Sequence, residues 1–143
     1  MSNPIADIKT SLAAIIGEVE GVKRAYAYAP ASLPPGNLPA AVVLTGKAIY
    51  QRQGYLSDPN PDRTFTVLLY VKQTGQGIDG EGERLCDPFF ERIAAALAAH
   101  PRLDLDSVLL ATLKSDSGVV KMTFSEAGET YVGASFEILV ELV

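Results

Sequence analysis

The sequence has no tryptophan, one histidine (His100) and one cysteine (Cys86). These shortages exclude much chemistry: a lone cysteine closes no intramolecular disulfide, and one Cys with one His builds no zinc site of the usual kind. Long apolar runs are missing too, none approaching the ~20 residues that cross a bilayer, so no membrane partner is expected. Met1-Ser-Asn-Pro4 and the helix-like pattern carrying Asp7 and Lys9 lack the basic start, apolar middle and cleavage site of a signal peptide. The expected compartment is a cytosol. Positive charge is also scarce, with 12 Lys and Arg against 17 Asp and Glu and a net charge of −5. A main task of neutralising phosphates is therefore not expected. What remains is 143 residues, 48% of them apolar, enough for one domain over residues 1–143 with a real core.

Asn3-Pro4 supplies a helix N-cap followed by proline at the first helical position. Ile5, Ile8, Leu12, Ile15, Ile16 and Val19 then recur at helical spacing until Gly17 and Gly21 end the pattern. Val22 to Ala29 alternates large and small residues and predicts a strand ending at Pro30. Four prolines in residues 30–39 forbid helix and interior sheet, which predicts an extended surface loop exposing Leu33 and Leu38. Ala40–Thr45 and Arg63–Gln73 predict two strands of a long hairpin, with a projecting tip over roughly residues 47–63. Residues 75–82 read as a glycine-rich connection, and Asp87-Pro88 as the start of a second helix that runs through Ile93 and Leu97 to Pro101. Strands at 108–114, 119–124 and 131–143 follow, joined by two links short enough for hairpins. In the last, even positions from Val132 to Leu142 are apolar while Tyr131, Ser135, Glu137 and Glu141 share the other face. The expectation is an α+β domain in the order α-β-β-β-α-β-β-β, with two helices on one face of a mainly antiparallel sheet.

The one formal motif is Gly75-Gln-Gly77-Ile-Asp-Gly80, a G-x-G-x-x-G between a predicted strand and a predicted helix. Glu81, Glu83 and Asp87 put negative charge where a pyrophosphate must bind, and Pro88 places the helix start well beyond the third glycine. A flexible connection is the preferred reading. Asp79, Glu81 and Glu83 lack the ligand spacing of a calcium loop, so no metal is expected. His100 reads as a helix C-terminal residue, Cys86 as a core residue, and Ser32, Ser57 and Ser107 lack a G-x-S-x-G context. No catalytic or cofactor-binding constellation emerges.

Tyr50, Gln51, Arg52, Gln53 and Tyr55 at the hairpin tip combine aromatic, Arg and Gln groups of the kind found at protein interfaces. Leu33 and Leu38 on the stiff loop add a second candidate contact. Tyr131 and Glu137, on the less apolar face of the last strand, add a third, since that strand is expected at a sheet edge able to pair with a neighbouring subunit.

The whole pattern resembles the tail terminator and tail-completion family of long-tailed bacteriophages over nearly the full chain. The resemblance is carried by the N-terminal amphipathic helix, Gly21-Val22 opening the first strand, and the tyrosine- and proline-rich stretch from Tyr26 to Pro39. The long hairpin, the Asp87-Pro-Phe-Phe90 element and the closing Tyr131-Val-Gly133-Ala-Ser-Phe136 complete it. The glycine-rich segment before the second helix has no counterpart there. The resemblance implies a non-enzymatic virion protein of the tail or neck, assembled in the host cytoplasm. It further implies a homo-oligomeric ring, a hexamer, on the tail tube, which stops tube elongation and meets the head-tail connector protein, with DNA only passing through the lumen. A neighbouring head-tail adaptor or stopper, and a small nucleotide-binding enzyme using Gly75, Gly77 and Gly80, are the alternatives.

Overall fold

The computed structural model describes residues 4–48, 50, 61–75, 77–124 and 128–143, and the backbone alone of 52, 53, 56 and 57. Helix α1 spans Pro4–Gly17, and Ile8, Leu12, Ile15 and Ile16 bury the face that its periodicity marks out. The Asn3 cap lies outside the described residues. Lys9 on this helix is buried too; its ammonium stands 3.9 Å over the Tyr28 ring, and desolvation holds its pKa below the ordinary lysine value.

Strand β1 covers only Arg24–Tyr26, shorter than the alternation suggests, and runs parallel to β2, Ala40–Ala48. The intervening proline-rich segment is the first correction. It contains a single 3-10 turn, Pro35–Asn37, and turns Leu33 and Leu38 inward, where they are 3% and 7% exposed. An apolar sheet face on each side has to be covered, and this loop covers part of the face that the helices do not.

Two short strands, β3 (Arg52–Gln53) and β4 (Leu56–Ser57), pair as a ribbon separate from the main sheet. They lie in the arm that joins β2 to β5, Arg63–Gln73. The predicted hairpin is therefore present, with Phe65, Val67, Leu69 and Val71 buried. Two bulges bend its neighbourhood, and each carries a glycine. A Cβ at Gly46 would strike the Thr64 carbonyl, and one at Gly133 the Leu69 carbonyl, so no larger residue fits either place without moving backbone.

Helix α2 spans Gly80–Ala99 and begins seven residues before the expected Asp87-Pro88 start. Asp79 is the cap: its backbone is extended and its Oδ1 accepts the Gly82 N–H. Gly82, Cys86, Phe89, Ile93 and Leu97 then fall on one buried stripe that runs straight through Pro88, which the exposed side accommodates.

The chain finishes with β6 (Val108–Asp116), β7 (Val120–Phe124) and β8 (Glu129–Leu142). Here two expectations fail. β6 and β7 do not form a hairpin: both run antiparallel to β8 along its same side, end to end, with a bulged joint at residues 117–119. Ser117 N–H donates to the Ser135 carbonyl, Ser135 N–H donates to Ser117 Oγ, and Gly118 takes a φ of 69°. Nor is β8 an edge strand, because β5 pairs along its other side.

The result is a six-stranded mixed sheet in the order β1-β2-β5-β8-β6, with β7 also on β8. Among the described residues every pairing in it is antiparallel except β1 with β2. Both helices pack on one face, over Val43, Val67, Phe136, Ile138 and Val140. The other face carries a second, smaller core in which Leu33, Leu38, Ala40, Val42, Tyr70, Phe124 and Tyr131 meet. Tyr70 sits edge-on to both Phe124 and Tyr131, with ring centroids 5.5 and 5.4 Å away.

Candidate functional site

The second core settles where three of the candidate contact residues lie. Leu33, Leu38 and Tyr131 are internal, Tyr131 only 1% exposed, and so none of them is a surface contact of the folded chain. The Tyr131 hydroxyl stands 3.2 Å from the Leu33 carbonyl and 3.0 Å from Glu129 Oε2. Burial and the Glu129 carboxylate push its pKa up to about 12.

Glu137 and Tyr50 remain at the surface. Glu137 stands on the half of the second face that the loop leaves uncovered, in a row running Leu44, Thr66, Glu137, Ser115 across four strands. Ser115 Oγ donates to it at 3.4 Å. Tyr50 is 60% exposed, and its hydroxyl accepts from Arg63 Nη2 at 3.3 Å while Arg63 Nη1 donates to the Gly46 carbonyl at 3.0 Å. Arg63 thereby clamps the root of the arm. Gln51 and Tyr55 lie outside the described residues, and Arg52 and Gln53 are placed by backbone only, in β3. Thus the structure keeps Tyr50 and the β3 residues in one region and separates them from Glu137, on the sheet face.

Surface features that the sequence pattern did not mark stand at the opposite side of the sheet. The outer side of β6 has no strand beyond it among the described residues. Leu109 and Leu110 there are 56% and 41% exposed. A strand bounded by bulges does not keep a strict period of two, which is why neither leucine could be assigned to a face beforehand.

The glycine-rich segment forms a depression of about 570 Å³ with Lys72, Thr74, Gly77 and Asp79 among its walls. Because α2 starts at Gly80, the third glycine does open a helix, which corrects the objection raised from Pro88. Other features oppose an anion there. Lys72 is paired at 3.4 Å with both Asp79 and Glu81, and the Gly82 N–H already serves Asp79. That N–H, opposed by desolvation and helped by Lys72, holds the Asp79 carboxyl below its ordinary pKa. A Cβ at Gly75, Gly77 or Gly80 would meet nothing within 4 Å, so no close backbone approach demands these glycines, although the φ of 127° at Gly77 does. The strands on either side, β5 and β6, are parallel to one another but have β8 between them, unlike the adjacent strands of a dinucleotide fingerprint.

His100 is the C-cap of α2, and its Nδ1 lies 3.0 Å from Asp104 rather than on the helix carbonyls. Cys86 is fully buried, and desolvation pushes its thiol up to about 11, a poor nucleophile. Among the described residues no three His, Cys, Asp or Glu side chains come together as metal ligands, and no helix is long and apolar enough to cross a membrane. The sequence matches no protein-family model and no curated protein.

Proposed function

We propose that this chain is a structural subunit of a long-tailed bacteriophage virion, closing as a ring, hexameric by resemblance, on the end of the tail tube. There it stops tube elongation and offers the tail-side surface to the head-tail connector protein, while DNA passes through the lumen without specific binding. One observation supports the ring reading most: the arm leaves the sheet on its β2–β5 side, and the exposed leucines of β6 lie on the other side. Unlike surfaces at opposite sides of a molecule are what a head-to-tail contact joins, and such contacts close into rings when the rotation permits. A hexamer multiplies the charge of −5, which favours basic surfaces on its partners and keeps the lumen from holding DNA.

The test is to add the purified chain to a polymerising tail-tube protein from the same genome and measure tube length by electron microscopy. Shortened tubes ending in a ring are expected; tubes of unchanged length and bare ends would reject the reading. A head-tail adaptor or stopper would instead bind the connector and leave tube length alone. The nucleotide-binding alternative draws on Gly80 opening α2. It requires saturable cofactor binding that Gly77→Val abolishes, and a titration without saturation removes it.

A further inference from the structure

We propose that the slot between α2 and β6 receives the β2–β5 arm of a second copy of this chain. This rests on the ring reading above and names the surface on which one subunit holds the next.

The slot encloses about 260 Å³, and Leu97, Ala98, Pro101, Leu110, Ala111 and Leu113 give it apolar walls. Sharing Pro101 with it is a cleft of about 410 Å³ that carries Asp104 and Asp106. Asp104 is engaged by His100, and the Arg102 guanidinium is tied down to the Val108 and Asp106 carbonyls. Among the described residues the Asp106 carboxylate has no ion-pair partner. The surface therefore asks for an apolar or aromatic side chain next to a cation. Residues 49–57 of the arm, Ile-Tyr-Gln-Arg-Gln-Gly-Tyr-Leu-Ser, contain that combination with Arg52 as the cation, and the arm's carboxylates, Asp58 and Asp62, follow beyond them. Charge and polarity are complementary.

Position agrees with chemistry. One row of the sheet runs Ala48, Arg63, Val140, Ala111, so the root of the arm and the floor of the slot stand at the same height on opposite sides. Strand directions alternate through β2, β5, β8 and β6. A neighbour turned about an axis along the strands thus brings its β2 side, arm included, to this β6 at the same level. On that side β1 covers only Ala40–Val42, leaving the half of β2 nearest the arm with no strand outside it among the described residues. Backbone pairing of β6 itself is blunted by two bulges and the exposed Lys114. The contact is accordingly made by side chains entering the slot, not by an added strand.

The experiment measures the mass of the full chain by light scattering over a concentration series, with circular dichroism to show that each variant is folded. Arg52→Glu and Asp106→Arg should each weaken association by roughly tenfold or more, and the two together in one chain should restore it. Leu110→Glu closes the slot, and Ala98→Glu does so from the exposed side of α2 should the first not fold. Mixing the folded slot variant with Arg52→Glu leaves one intact arm and one intact slot per pair, so two chains that are monomeric alone should give a dimer and nothing larger. A ring unaffected by the slot variants, or a mixture that stays monomeric, overturns this contact and leaves the ring reading standing. A wild-type chain that never associates and does not cap tubes overturns both.

Discussion

At the residue scale, the buried polar groups give the sharpest expectations. Tyr131 is enclosed by the second core and held by Glu129 and Leu33, so Tyr131→Phe should cost about 1 kcal/mol in denaturant unfolding. Its pKa is raised in the folded state, which makes the neutral phenol the favoured form. The contribution of the hydroxyl is then complete below pH 10 and is lost as the pH rises towards about 12, so the wild type should lose stability in alkali more steeply than the Phe variant. Asp79 has the opposite sign. With its carboxyl depressed in the fold, its contribution is present above the ordinary value of 3.8 and disappears as pH falls through the lower native one; Asp79→Asn should flatten that acid limb. Leu33 separates two views of the proline-rich loop. As a core residue its replacement by Ala should cost about 2–5 kcal/mol, whereas a contact residue exposed on the monomer would leave unfolding nearly unchanged.

At the element scale, Pro88 sits inside α2 without an N–H to give the preceding turn. Pro88→Ala should restore that bond on an exposed position and stabilise the chain by up to about 3 kcal/mol, read as a higher denaturant midpoint. The same residue shows where the sequence was hard to read. Asp87-Pro88 has the form of a cap and first helical residue, while the working cap, Asp79, is hidden among Gly75, Gly77, Gly80 and Gly82. Only tertiary burial of Gly82 and Cys86 carries the helix through that composition. By contrast β5 and β8 were legible because Phe65 to Val71 and Val132 to Val140 hold a period of two with one face against both helices. Ser115-Asp-Ser-Gly118 misled for a physical reason: a bulge and a turn both call for Ser, Asp and Gly, and which one forms depends on whether β8 is long enough to hold two strands in line. At fourteen residues it is. Leu33 and Leu38 misled because a rigid loop shows no period from which to tell an outward leucine from one that closes a second core. Of the candidate contacts, Tyr50 and Glu137 are exposed whereas Leu33, Leu38 and Tyr131 are buried, and the exposure of the β6 leucines had no signal in the sequence pattern.

At the scale of the whole molecule, both helices pack on one face of the sheet, and the loop with β7 covers part of the other. Leu44 is left exposed on the remainder, and Leu109 and Leu110 are exposed along β6. Together with the arm on the β2–β5 side, this makes a subunit whose two sides differ, the condition for head-to-tail closure. Scattered leucines alone would not argue for it, since a folded surface always retains apolar atoms. Their placement opposite the arm does. The most direct measurement is the solution mass by light scattering across a concentration series at low and moderate salt. The account predicts a discrete species near six protomers that forms as concentration rises. A particle that remains one protomer at every concentration and salt would contradict the claim that this chain closes on itself through surfaces carried by its own sheet.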